Sequence, residues 1–243
     1  MEPFYVGLDN VTIVGDLLPK SSFPYVMANS VLWGERYRAK YPYVWSWQGL
    51  DGSFLQYTDE NKFSDIRIEF NPSKCEKDEI IDILHCLRNS RLTRVDVALD
   101  FEVDLREYKI FDSVARTDNM VRGLDKKIET YYFGSRTSYL FVRVYDKARE
   151  QKIKDGRLWW RFEATVKHDF IELFLKGILN PFQGLRVFKP NYKDLTYTDE
   201  AVIRTILEDE SFLGRMEKSA RSRYRKKITS MPTSDEIPIQ DLF

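Results

Sequence analysis

Cysteine and histidine are scarce in this sequence, with two of each among 243 residues. Two cysteines, Cys75 and Cys86, build no disulfide framework and fit a reducing compartment. His85 and His168 stand far apart and lack a metal-ligand spacing. An excess of one charge is also missing, since 38 Lys and Arg balance 38 Asp and Glu. No stretch approaches the ~20 apolar residues that span a bilayer, and the N-terminus shows no basic region, apolar run and cleavage site in succession. A soluble, cytoplasmic protein without a membrane partner is the expectation. A glycine-rich phosphate loop, a nucleophilic-serine elbow and a CxxC pair are absent as well.

What is present favours a packed, sheet-rich chain. Hydrophobic residues reach 43% and aromatics 14%, enough for a sizeable core and well suited to a pleated surface. Tyr43–Trp47 and Phe54–Tyr57 flank the turn-forming Leu50-Asp51-Gly52 as a hairpin. Asp65–Phe70 alternates polar and apolar, as a half-buried strand does, and Glu76–Leu87 carries apolar residues at helical spacing. Strands are expected again at Arg91–Val103, Glu129–Gly134, Tyr139–Asp146 and Trp159–Val166. A short helix is expected around Tyr108–Ala115, and only weak strands before Tyr43. Beyond Asp169 the pattern reads as helical, with Thr198–Glu208 and Ser211–Lys227 as the final helices.

The order implies an α+β fold, a twisted and mainly antiparallel sheet with helices packed on one face and a helical C-terminal region. The expected domains are a catalytic 1–175, a helical DNA-binding or assembly region 176–229 and a flexible acidic tail 230–243. Neutral overall charge hides a local contrast. Seven bases and one acid lie between Arg215 and Lys227, whereas Asp235, Glu236 and Asp241 follow without a base. At about 100° per residue, Arg215, Lys218, Arg221 and Arg225 form one helical stripe that would suit DNA phosphates. A solvated basic helix end explains the stripe equally well.

Three expected strands carry charge where a sheet interior is usually apolar. In Arg94-Val-Asp-Val-Ala-Leu-Asp100, Asp96 and Asp100 share a face and lie roughly 13 Å apart along the strand. Arg143, Tyr145 and Lys147 share a face of the next segment, and Arg161 and Glu163 share one of the last. Were these strands neighbours, Asp96, Asp100 and Glu163 would supply oxygen ligands for Mg²⁺ or Mn²⁺ beside Tyr145, Arg143 and Lys147. That combination suits phosphoryl chemistry with a tyrosine nucleophile. Acid–base alternation on one strand is more often a solvated face with cross-strand ion pairs, and Tyr145 read alone is one tyrosine among 14.

Thr130-Tyr-Tyr-Phe-Gly-Ser-Arg-Thr-Ser138, followed by Phe141-Val-Arg-Val-Tyr-Asp-Lys-Ala-Arg-Glu150, resembles the central motif of the Rep_trans family. That family holds the rolling-circle initiators of staphylococcal-type plasmids and relaxases of related conjugative elements. Three more segments agree in order: Ile66–Cys75 resembles its strand-to-helix junction, Thr93–Asp100 its acidic strand and Trp160–Glu163 its later acidic strand. The match covers roughly residues 43–170. The resemblance implies a nicking-closing enzyme that leaves a 5′-phosphotyrosine and a free 3′-OH at a replication origin.

Carried over by position, Tyr145 is the implied nucleophile and Asp96, Asp100 and Glu163 the implied metal-site acids. Tyr131 and Tyr132 stay open as alternative nucleophiles. The lack of a His-hydrophobic-His strand agrees with this family. Arg136, Arg215, Lys218, Arg221 and Arg225 are the candidate DNA contacts. Single- and double-stranded origin DNA, a host helicase and a second copy of the chain are the implied partners. A DNA-binding protein without cleavage, or a metal-dependent nuclease using water, are the rival readings.

Overall fold

The computed structural model describes residues 2–115, 118–125, 128–209 and 211–242. The chain forms two compact units. The smaller comprises Gly7–Val97 and Thr165–Glu172; the larger comprises Met1–Val6, Ala98–Ala164 and Leu173–Phe243. These units interleave along the chain.

The smaller unit holds β1 (Tyr5–Leu17, from Gly7 on), α1 (Phe23–Asn29), β2 (Tyr37–Arg38), β3 (Trp45–Gln48), β4 (Phe54–Tyr57), β5 (Ile66–Phe70), α2 (Lys77–His85) and most of β6 (Leu87–Phe101). Its strand order is β2-β3-β4-β5-β1-β6. The expected hairpin forms, with Trp45 opposite Tyr57 and Trp47 opposite Leu55. Period-two alternation in β5 sends Ile66 and Ile68 into the core, both fully buried, while Arg67 and Glu69 take the other face. Ile80 and Ile83 of α2 and Phe23 of α1 pack on that core face with Leu55 and Leu87. Each such side chain contributes about 1.5–3 kcal/mol by leaving water. The first 48 residues are more regular than their pattern implied. A 13-residue strand and a helix form there. Register with β5 stabilises β1, from Val11 opposite Phe70 to Gly15 opposite Ile66, and no local period announces that pairing.

The larger unit continues with β7 (Lys109–Asp112), β8 (Asp118–Arg122), β9 (Ile128–Phe133), β10 (Leu140–Asp146), α3 (Lys147–Glu150) and β11 (Trp160–Lys167, to Ala164). α4 (Asp169–Leu175) belongs to the smaller unit up to Glu172; β12 (Leu185–Pro190), α5 (Tyr197–Glu208), α6 (Ser211–Gly214), α7 (Lys218–Ser230) and β13 (Thr233–Ile237) follow in the larger unit. Its strands run β6-β11-β10-β9-β8, and a second sheet has the order β13-β12-β7. The mixed fold with a large antiparallel sheet matches the α+β expectation.

Three local expectations are corrected. The short helix around Tyr108–Ala115 is strand β7, because Ile110 and Phe111 pair with Val187 and Arg186 of β12. The acidic tail is not free. Val187 pairs with Ile237, and Ile237 and Ile239 are buried. The helix over Ser211–Lys227 divides after Gly214, leaving Arg215 between α6 and α7. Phe111 and Phe188 then pack with Ile203, Ile206, Tyr224 and Ile228 in the larger unit's core.

Candidate active site

β10 delivers Arg143 and Tyr145 to one face of the sheet, while Val142 and Val144 fill the other. The hairpin from β9 turns at Gly134, whose φ of +82° lies in the left-handed region that favours glycine. Its register places Tyr132 opposite Arg143 and Thr130 opposite Tyr145, so these four side chains share a face. Tyr131 is opposite Val144 and stacks on Phe133 on the reverse side. The two alternative tyrosines are thereby separated: Tyr132 faces the site and Tyr131 does not.

β11 supplies Glu163, whose side chain is only 3% exposed. Its Oε2 accepts from Arg143 Nη2 at 2.7 Å and from the Tyr145 hydroxyl at 3.2 Å. Lys147, the first residue of α3, donates to the Tyr145 oxygen at 3.5 Å and pairs with Glu150 at 2.5 Å. The Arg143 guanidinium lies 4.7 Å from the Tyr145 ring centre. A cavity of about 400 Å³ opens beside these groups, lined by Glu129, Thr130, Tyr132, Arg143, Tyr145, Asp146, Arg149 and Glu150. Sequence reading missed Glu150 and Asp146; the Lys147–Glu150 spacing of three at a helix start was the available signal.

Burial pushes the Tyr145 phenol far above its ordinary value, and the Glu163 charge pushes the same way against Arg143. Burial works to lower Arg143, but the bond to Glu163 together with the Glu163, Tyr145 and Glu150 charges outweighs it and holds the guanidinium above its usual range. Burial also opposes ionisation of Glu150, yet bonds from Lys147 and Gln151 keep its carboxyl below the ordinary value. The Tyr145 phenol is therefore neutral where it meets Glu163, Arg143 and Lys147.

Each of the three expected metal ligands is held by an arginine of its own. Asp100 is gripped by Arg161, Nε at 2.6 Å and Nη2 at 2.7 Å, both side chains below 10% exposed. Asp96, in the smaller unit, is held by Arg94 at 2.9 and 2.5 Å. Glu163 has Arg143. Among the described residues no group of three His, Cys, Asp or Glu side chains is placed to hold a metal ion. A Mg²⁺ or Mn²⁺ site built from Asp96, Asp100 and Glu163 does not fit this arrangement, because each carboxylate is neutralised by its own arginine instead of facing the other two.

The expected DNA contacts also divide. Arg221 donates to the carbonyls of Leu213, Gly214 and Met216, closing the end of α6. Arg225 donates to Asp112, Ser113 and Ala115 at the end of β7. Neither belongs to a free stripe. Arg215 is 72% exposed outside the helix, whereas Lys218, Arg223 and Lys226 are exposed on α7. Arg136 lies 5.8 Å from the Tyr132 ring centre.

Comparison with known proteins gives three kinds of likeness. The family model described as "Replication initiation factor" (Rep_trans) matches residues 90–227, more than half of the chain. A replication initiation protein of Staphylococcus aureus is 32% identical over 180 residues, covering 70% of this chain and 56% of its own length. Another from the same organism is 31% identical over 188 residues, covering 73% and 57%. This chain thus spans just over half the length of those relatives. The structure titled rolling circle replication initiator protein from Geobacillus stearothermophilus superposes with a TM-score of 0.53 at 15% identity. It covers 78% of this chain and 88% of that one, a likeness of fold.

Proposed function

This chain belongs to the Rep_trans family of replication initiation factors, and from that premise we propose that it nicks and rejoins one DNA strand at a rolling-circle origin with Tyr145 as nucleophile. The observation that carries the reading is the Tyr145 hydroxyl donating to buried Glu163, with Arg143 and Lys147 beside it and Tyr145 and Arg143 lining a cavity.

In this reading a scissile phosphate enters the cavity and Arg143 engages its non-bridging oxygens. Glu163, relieved of Arg143, accepts the phenol proton. The Tyr145 oxygen attacks phosphorus in line, the new P–O bond forms, and the bond to the 3′ oxygen breaks. Lys147 delivers a proton to the leaving oxygen, so a 3′-OH and a 5′-phosphotyrosine result. The reverse sequence rejoins the strand. No step runs through a metal. A requirement for Mg²⁺ or Mn²⁺ is tested by comparing adduct yield with and without a chelator. Origin DNA is the substrate of the reading, and helicase recruitment and a homodimer belong to the same proposal.

The deciding experiment incubates the protein with an origin-bearing plasmid and a labelled nick-site oligonucleotide. Wild type yields a covalent protein–DNA adduct and Tyr145→Phe yields none. An adduct that survives in Tyr145→Phe and disappears in Tyr132→Phe moves the chemistry to β9. Cleavage without any adduct supports water as the nucleophile.

A further inference from the structure

The proposed chemistry occupies Tyr145, Arg143, Lys147 and Glu163, yet the cavity beside them is lined by a second aromatic ring with no part in it, Tyr132. Tyr132 stands opposite Arg143, and Thr130 opposite Tyr145, so the ring rises from the same face of β9 and β10 as the reacting groups. All of these residues belong to the larger unit. Tyr132 is half-buried and stacks on Phe141 of β10, with ring centres 5.9 Å apart and planes 15° from parallel. Phe141 is only 9% exposed, so a packed neighbour braces the ring from one side. Tyr132 and Tyr145 are diagonal neighbours across the ladder, about 7–8 Å apart, a separation that one nucleotide bridges.

What the cavity can hold beside Tyr132 follows from its charges. Arg143 is the cation for the scissile phosphate. The remaining charged lining is largely acidic and already engaged. Arg149 meets Glu129 at 2.6 Å and gives its backbone N–H to Asp146 at 2.9 Å, while Lys147 meets Glu150 at 2.5 Å. A second phosphate at this wall would face three carboxylates and be repelled. A flat, uncharged group is not repelled. It can lie on the Tyr132 ring and turn its polar edge to the Thr130 hydroxyl or to the spare lone pairs of the carboxylates. The cavity volume of about 400 Å³ falls among those of small-ligand pockets. In a DNA substrate the flat, uncharged group next to a phosphate is the base. Arg136, exposed in the turn after β9 and 5.8 Å from the Tyr132 ring centre, adds a cation at the outer side for a neighbouring phosphate.

We propose that Tyr132 seats the unpaired base of a nucleotide adjoining the scissile phosphate. The inference rests on the DNA-nicking reading and names the form in which that site holds its substrate. A base reaches the ring only when it has left the duplex stack, so the site takes its DNA as a single strand. Stacking on Tyr132 then fixes the phosphate between Arg143 and the Tyr145 oxygen. Tyr132 is a binding residue in this scheme and exchanges no proton with the substrate.

The test measures binding by fluorescence anisotropy in the Tyr145→Phe background, where no adduct forms, with the single-stranded nick-site oligonucleotide. Two further oligonucleotides each lack the base at one of the nucleotides that adjoin the nick. Tyr132→Ala should weaken binding about ten-fold, the worth of one stacked base. Removing one of the two bases should cost the chain with Tyr132 the same factor and cost Tyr132→Ala nothing more. Tyr132→Phe keeps the ring and should keep the affinity. Tyr132→Leu keeps bulk against Phe141 but no ring, and should behave as Tyr132→Ala. A structural Tyr132 would instead give the same loss on all three DNAs. That result, full affinity in Tyr132→Leu, or indifference to both bases overturns the base seat, even where wild type forms its adduct. A base-dependent loss in a chain whose wild type forms no adduct supports the seat and defeats the nicking reading.

Discussion

Two arginine–carboxylate pairs in the larger unit look alike in sequence and differ in what their surroundings allow. Asp100 and Arg161 are both below 10% exposed and meet through two short bonds. Glu163 is as deeply buried, but its partner Arg143 is 36% exposed and the tyrosine hydroxyl shares the carboxylate. One pair is closed upon itself. The other faces a cavity where a phosphate can take the arginine and free the carboxylate. A buried charge is costly unless paired, so a closed pair holds structure, whereas an open one can exchange partners at small cost.

The sharpest way to break the contrast is at the tyrosine. Tyr145→Phe should abolish the covalent adduct while shifting thermal melting by no more than a few degrees, because only a hydroxyl is lost. A large fall in melting temperature with the adduct retained would make the open pair structural after all. Glu163→Gln keeps shape and removes the proton acceptor, and nicking should fall about 10²–10⁴-fold. Asp100→Asn should instead act on stability, at about 3–5 kcal/mol by chemical denaturation, since it strands the Arg161 charge in the interior. If Glu163→Gln is the more destabilising of the two, the distinction between open and closed pairs fails.

The same distinction separates cations within 215–227. Arg225→Ala should cost about 1–3 kcal/mol through three abandoned carbonyls and leave the salt dependence of DNA binding unchanged. Lys218→Ala with Lys226→Ala should leave stability within about 0.5 kcal/mol. If those lysines meet duplex phosphates, each loss flattens the salt slope by about 0.9. Titration against salt reads both. An unchanged slope removes this helix from the DNA surface.

The smallest effect is expected in alkali. The folded Tyr145 phenol ionises well above its ordinary 10.0, so the unfolded chain releases its proton first. Stability from this group is fully present below about pH 10 and declines as pH rises toward the folded value. Tyr108, held up to about 12 by burial and its bond to Asp235, adds to the same slope. Tyr145→Phe should make the decline above pH 10 shallower in denaturant titrations. An unaltered slope would mean that the phenol is not desolvated in solution.

Strong local periods made most strands readable. β5, β9, β10 and β11 and helix α2 fall where alternation or helical spacing places them, because each carries its own period in its sequence. The family was legible in its motifs, and alternation fixed that Arg143 and Tyr145 share a face; that Glu163 joins them took the pairing of β11 beside β10. Long-range pairing was not legible. β7 carries apolar residues that suit a helix equally well, and only β12, more than 70 positions later, makes it a strand. β13 likewise needs β12, so an acidic tail became a strand.

Sequence by itself determined which tyrosines, arginines and acids lie on which strands, and which of them share a face within each strand. Tertiary structure alone decided their partners. Asp96, Asp100 and Glu163 are chemically interchangeable as text, and three different arginines distinguish them. Arg221 and Arg225 read as DNA contacts until carbonyls eight residues or more than a hundred residues away claim their protons. Charge is written in the sequence, but a hydrogen bond or ion pair acts over a few ångströms, and only the folded chain sets which groups come that close.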